Sequence, residues 1–230
     1  MGEFFRESVF FGVFISLLSY GIGMLLKKKW NLPLLNPLLN SILVTMLALL
    51  VFHVDYETYY EGAKFISYLL TPATICLAIP LYEQFELLKQ NFRAVLLGIT
   101  SGVLTSLCTI LALSLLLHLD HSAYVTLLPK SITTAIGMGV SEELGGYVSI
   151  TVAVIIVTGV LGNIFAETIC RIFRITHPIA RGVAIGTAAH AVGTAKAMEM
   201  GEVEGAMSSL SIVVSGLLTV AGAGLFAPLL

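Results

Sequence analysis

Long apolar runs separated by short polar stretches organise this chain. Runs at 8–26, 34–52, 64–83, 92–117, 147–170 and 207–229 are each near the length of a membrane crossing, which takes about 20 apolar residues. The stretch 181–204, RGVAIGTAAHAVGTAKAMEMGEVE, lies between the last two and is built differently. Gly182, Gly186 and Gly193 interrupt it, and His190 and Lys196 stand where a lipid-facing helix carries Leu or Ile. Gly-Thr-Ala occurs at Gly186 and again at Gly193, about two helical turns apart, so both triplets fall on nearly one face. Such a face lets another backbone approach closely. Thr187, His190 and Thr194 share a face by their spacing, and ionisable groups at membrane depth mark a pathway or a binding site. The plain alternative is a tightly packed structural helix whose His190 is merely hydrogen-bonded.

Two further runs are interrupted. In 64–83 the pair Thr71-Pro72 falls in the middle, where proline removes a helical hydrogen bond and either kinks or breaks the helix. In 123–146, Lys130 follows Pro129 and precedes the hydroxyls of Ser131, Thr133 and Thr134. The glycines Gly137, Gly139, Gly145 and Gly146 let this segment turn. Its apolar part is short for a crossing. Neither Lys130 nor Lys196 is read as having an acid close by in sequence, and a buried ammonium favours an anionic partner. The alternative for both is a snorkelling chain whose head reaches water. Asn36 before Pro37 reads as a helix start. Gly186 and Gly193 read as hinges, and 55–63, DYETYYEGA, as an interfacial loop.

Composition sharpens this picture. The chain has 230 residues, 57% hydrophobic and 11% charged, with a mean hydropathy of +0.95. Those values describe a polytopic membrane protein. The three cysteines all lie inside apolar runs, which excludes a disulfide framework and offers no metal spacing. The net charge of −2 comes without a basic stripe for nucleic acid. Residues 8–26 lead into Lys27-Lys28-Lys29 without a small-residue cleavage site, and read as a retained span.

Basic residues set the expected topology. If 123–146 enters and leaves on one side, Lys27, Lys28, Lys29, Lys89, Arg93, Arg171, Arg174 and Arg181 all face the cytoplasm. That predicts an all-α single domain with seven crossings, the N-terminus outside and the C-terminus inside. Glu142, Glu143, Glu202 and Glu204 then lie outside. The segments about 34–117 and 147–229 form two inverted triplets, each normal, interrupted, normal. Inverted repeats with matching interrupted helices point to a secondary transporter whose site lies near the midplane. Lys130, Ser131, Thr133, Thr134, the Thr71-Pro72 break, Thr187, His190 and Thr194 are the expected lining. A small carboxylate answers the lysine charge, and His190 is placed to couple a proton. Gly-x-Ser-x-Gly, His-Glu-x-x-His and a paired intramembrane aspartate are all missing, which speaks against an enzyme.

The runs LPLLNPLL (32–39), LTPATICLAIPLYEQ (70–84), LPKSITTAIGMGV (128–140) and RGVAIGTAAHAVGTAKAME (181–199) resemble the LrgB/CidB membrane-protein family along essentially the whole chain. One departure is Ala135, where that family carries proline after the paired threonines. The resemblance implies a multi-pass protein of the bacterial cytoplasmic membrane, without cofactor. It implies a homo-oligomer acting with a small LrgA/CidA-type membrane partner. Two functions follow from it: a carrier of small monocarboxylates such as pyruvate or glycolate, or a holin/antiholin-like regulator of murein hydrolase activity and autolysis. Embedded Lys and His in interrupted helices favour the carrier, because a pore of assembling apolar helices does not need them.

Overall fold

The structure, a computed structural model, describes residues 10–30, 35–76 and 78–230, so the start of the 8–26 run and residues 32–34 of the first family motif lie outside the described residues. Described residues form helices and no strands. Five helical stretches among them are long and apolar enough to cross a membrane: Phe11–Trp30, Tyr56–Glu83, Phe85–Leu116, Val148–Ile172 and Glu202–Leu229. The chain divides into two compact units, Met1–Cys76 and Leu77–Leu230.

The first unit holds α1 (Phe11–Trp30), α2 (Pro37–Val51), α3 (Tyr56–Ser67) and α4 (Leu70–Cys76). Asn36 caps α2: its side-chain oxygen accepts from the amides of Leu38 and Leu39 at 2.8 and 3.3 Å, with Pro37 in the first turn. α1 and α2 run antiparallel, since Gly23 abuts Pro37 while Phe11 and Ile15 pack with Ala48, Leu49 and Val54. The stretch 55–63, expected as a loop, is helical instead. Asp55 caps α3 by accepting from the Thr58 amide at 3.3 Å, and Glu61 pairs with Lys64 one turn on. A capping carboxylate and a spaced ion pair outweigh the polar composition there. The interruption falls at Tyr68 and Leu69, ahead of Thr71-Pro72. Pro72 thus sits in the first turn of α4, where its missing N–H leaves no bond unmade.

The second unit holds α5 (Ala78–Glu83), α6 (Phe85–Leu116), α7 (His121–Leu127), α8 (Thr134–Glu143), α9 (Val148–Ile172), α10 (Pro178–Met200) and α11 (Glu202–Phe226). α10 is not one straight helix. Ala189 (φ −129°, ψ 15°) and His190 (φ 41°, ψ −140°) leave helical geometry and divide it into two arms. The arms fold back on each other. Gly193 sits against Ala189 and Ile185, and Ile185 clusters with Ala197 and Met200. Gly182 abuts the Glu204 carbonyl, and Gly186 the Ser208 carbonyl. A straight α10 would leave Gly182 and Glu204 roughly 25 Å apart or more.

The expected crossing by 181–198 is therefore a hairpin that enters and leaves at one end. Glu202 and Glu204 lie at the end that carries Arg181, not across a membrane from it. The C-terminus accordingly lies at the opposite end from Arg181, not at the same end as the seven-crossing topology predicts.

The remaining directions follow from contacts. Gly98 meets Val183 and Gly102 meets Thr187, so α6 runs parallel to the first arm; Ala189 meets Gly162, which runs the other way on α9. α6 thus ends, and α9 begins, at the end opposite the base of α10. Residues 117–147 leave and return at that same end, as α7, the loop 128–133 and α8. Thr126 ties this segment to α9: its hydroxyl accepts from the Tyr147 amide at 2.7 Å, and its carbonyl accepts from Thr151 at 2.9 Å. Tyr124, wholly buried, donates to the Phe226 carbonyl at 3.0 Å. Two interrupted helical hairpins therefore enter the second unit from opposite ends, and both reach the middle part of α6, near Gly102 and Ser106.

Candidate functional site

A cavity of about 760 Å³ lies between α6, the 128–133 loop and the first arm of α10. Its lining includes Lys130, Ser131 and Thr187 from the sequence-predicted set. No Asp or Glu is among the lining residues. The Lys130 ammonium donates to the Ser131 hydroxyl at 3.0 Å, and Ser131 lies 3.5 Å from the Ser106 hydroxyl. Lys130 makes no ion pair among the described residues. Pro129 is fully buried beside it, and the Ile132 amide donates to the Pro129 carbonyl at 3.3 Å. The turn is thereby fixed. Thr187 is 7% exposed, and its hydroxyl has no hydrogen-bond partner among the described residues. A buried, unpaired hydroxyl costs about 1–3 kcal/mol, so one lining a cavity stands ready for a ligand.

α6, read from sequence as an ordinary span, supplies the opposite wall. Asn91, Ala94, Gly98, Ser101, Gly102, Thr105, Ser106 and Thr109 all line the cavity. They recur every three or four residues, which places them on one face, while Leu96, Leu97 and Leu104 point outward and are exposed. That periodic stripe of small and hydroxyl residues was the signal available in the sequence. Ser101 donates to the Gly98 carbonyl at 2.9 Å and Thr105 to the Ser101 carbonyl at 2.7 Å, so neither hydroxyl is left unsatisfied in the apolar span.

The break in α10 separates residues expected on one face. Thr187 lines the cavity, but His190 and Thr194 do not. The His190 ring lies against Gly159, and Nε2 is 3.0 Å from the Ile155 carbonyl. A carbonyl only accepts, so Nε2 carries the proton. Thr194, with no exposed surface, donates to the His190 carbonyl at 2.9 Å and accepts from Ser208 at 2.7 Å. Asn163 donates to the Val192 carbonyl at 2.7 Å. These bonds occupy carbonyls freed around the break, the condition on which irregular backbone is tolerated at membrane depth. Gly186 is a contact residue in the first arm, and Gly193 lies just past the turn. The hinge geometry belongs to Ala189 and His190.

Thr133 and Thr134 begin α8, Thr133 at its N-cap without a side-chain capping bond, and neither lines the cavity. Thr71 and Pro72 belong to the first unit and are exposed within it. Lys196 has acids after all: its ammonium pairs with Glu167 at 2.6 Å and Glu199 at 3.2 Å. Glu199 sits one turn along the same arm, and Glu167 comes from α9 through the packing of the hairpin. Lys196 is therefore neutralised locally, and Lys130 is the uncompensated cation of the cavity.

The LrgB-like family matches residues 16–229. An antiholin-like protein LrgB of Bacillus cereus (strain B4264) is 39% identical over 220 residues, covering 95% of this chain and 96% of that protein. An antiholin-like protein LrgB of Bacillus anthracis (strain A0248) is similar to the same degree, 39% over 95% of this chain. No solved structure matches.

Proposed function

The chain belongs to the LrgB-like family, and from that premise we propose that it is a secondary carrier of small monocarboxylates in a bacterial cytoplasmic membrane. The observation that carries this reading is Lys130, an ammonium without a counterion among the described residues, in a cavity whose described lining holds no acid. Lys130 binds the carboxylate, a charge-assisted contact strengthened by the low dielectric around it. Ser131 and Thr187 add neutral donors, and Ser106 joins them from α6. Two hairpins meeting at mid-depth from opposite ends fit alternating access, in which each tip gates one side. His190 pins the second tip to α9 through Nε2, leaving Nδ1 as the ring position open to a coupled proton. Thr194 holds the backbone of that tip in place, while Thr133 and Thr134 start the helix behind Lys130.

The positive-inside rule puts the end bearing Lys89, Arg93, Arg171, Arg174 and Arg181 in the cytoplasm. With Lys27–Lys29 on the same side, the chain makes six crossings and carries two re-entrant hairpins, with both termini outside. A homo-oligomer and a small LrgA/CidA-type partner belong to the same proposal.

The names of the relatives favour a second reading, an antiholin-like protein, for which the proposed role is regulation of murein hydrolase activity and autolysis. Counterflow separates the two. Vesicles containing the protein, alone and with the small partner, are loaded with unlabelled pyruvate and given labelled pyruvate outside. A carrier gives saturable exchange. Non-saturable leakage of unrelated solutes of similar size, with the protein folded, would put the antiholin-like reading first.

A further inference from the structure

A second cavity, of about 630 Å³, opens at the end of the second unit where α10 begins and ends. Its walls come from the last turns of α9 and the bases of both α10 arms, and they carry Glu167, Arg171, Arg174, Arg181 and Glu199. The charges are not evenly matched. Glu167 and Glu199 both pair with one ammonium, Lys196, at 2.6 and 3.2 Å. Arg181 spends Nε on the Ile175 carbonyl at 2.8 Å and lies 3.8 Å from Glu204. Arg171 and Arg174 make no ion pair or side-chain hydrogen bond among the described residues. Two guanidinium forks therefore line one pocket without a paired anion among the described residues.

We propose that this pocket binds the phosphate group of an anionic ligand, with Arg171 and Arg174 as its principal donors and Arg181 beside them. A planar guanidinium meets two phosphate oxygens at once, and two such forks suit a tetrahedral anion better than a single flat carboxylate. The glutamates do not oppose it, because Lys196 already holds them. Basic pockets between helices at the cytoplasmic surface take lipid headgroups in this way, and a free phosphate would meet the same donors. Either occupant bridges the end of α9 to both arms of the second hairpin and steadies the hairpin whose first arm lines the Lys130 cavity. The proposal does not depend on what that cavity carries.

The test uses the full chain in phosphatidylcholine nanodiscs and reads thermal unfolding together with hydrogen exchange over 191–200. Inorganic phosphate is titrated against chloride at matched ionic strength, and separate discs are doped with phosphatidylglycerol. One of these anions should raise the unfolding midpoint and slow exchange in the second arm. A response to phosphatidylglycerol alone identifies a headgroup site, and a response to inorganic phosphate identifies a free-anion site. Combining Arg171→Gln and Arg174→Gln should weaken the response about tenfold or more, while Lys89→Gln, on the same face, leaves it unchanged. An equal response in the double variant means diffuse charge screening and overturns the proposal. So does the lack of any response to either anion. Should the double variant fail to fold, the wild-type exchange measurement decides: no protection of 191–200 by either anion sinks the site.

Discussion

Arg181 and Glu204 form an ion pair, 3.8 Å between guanidinium and carboxylate, across the base of a helix that folds back on itself. Their contact converts a supposed crossing into a hairpin. It also places the first arm of α10 alongside α11, with Gly182 and Gly186 in the seam.

Labelling of single cysteines tests that geometry directly, in a background lacking Cys76, Cys108 and Cys170. Cysteines at Arg174 and Glu202 should both be silent to an impermeant thiol reagent outside whole cells and both react in inverted vesicles. A cysteine at Glu143 should show the opposite pattern. Reaction of the Glu202 site from outside, with Arg174 silent, would restore a crossing and remove the hairpin.

Lys130→Ala should lower carboxylate transport tenfold or more at matched membrane abundance, since one charge-assisted contact contributes about 1.5–3 kcal/mol. Lys130→Arg should restore it only in part, because a planar fork does not replace a compact ammonium. Lys196→Ala loses surface ion pairs worth little and should be far milder. Normal uptake by Lys130→Ala would move the site elsewhere.

Thr187 and Thr194 are chemically alike and should behave differently. Thr187→Val removes a hydroxyl that has no partner among the described residues, so thermal stability should hold or rise while the KM for the carboxylate increases. Thr194→Val strands the His190 carbonyl and the Ser208 hydroxyl, and should destabilise by about 1–3 kcal/mol. A stability loss in Thr187→Val, with KM unchanged, would make its role purely structural.

Gly186 has no room for a side chain, because an added Cβ meets the backbone and hydroxyl of Ser208. Gly186→Val should cost about 1–3 kcal/mol, since an overpacked contact against backbone relaxes poorly. Gly224→Ala, with open space around it, should be nearly neutral. Unfolding midpoints in detergent compare the two, and equal midpoints would deny the close seam between α10 and α11.

Much was legible in the sequence because membrane burial writes itself into composition. Runs of apolar residues marked α1, α6, α9 and α11, and Asn36-Pro37 marked the start of α2, since local chemistry decides each. Lys130 stood out for the same reason: an ammonium in an apolar segment is conspicuous without any fold. The reversal at Ala189–His190 was not legible, because Gly186 and Gly193 carry the obvious signal for a hinge and neither makes the turn. The site of the turn depends on whether the broken stretch finds partners, and those partners, Ile155 for the His190 ring, Asn163 for the Val192 carbonyl and Ser208 for the Thr194 hydroxyl, come from two other helices. The wall formed by Ser101, Thr105 and Ser106 was present as a period on α6, yet small residues at that spacing also serve plain helix packing. Only the tertiary arrangement, with the first arm of α10 touching that stripe at Gly98 and Gly102 and the 128–133 loop beside it at Ser106, turned it into the side of a cavity. Sequence alone determined which segments are long and apolar enough to cross a membrane and where a lone charge lies. Direction, reversal and enclosure depend on contacts between residues far apart in the chain, which only packing of the whole unit decides.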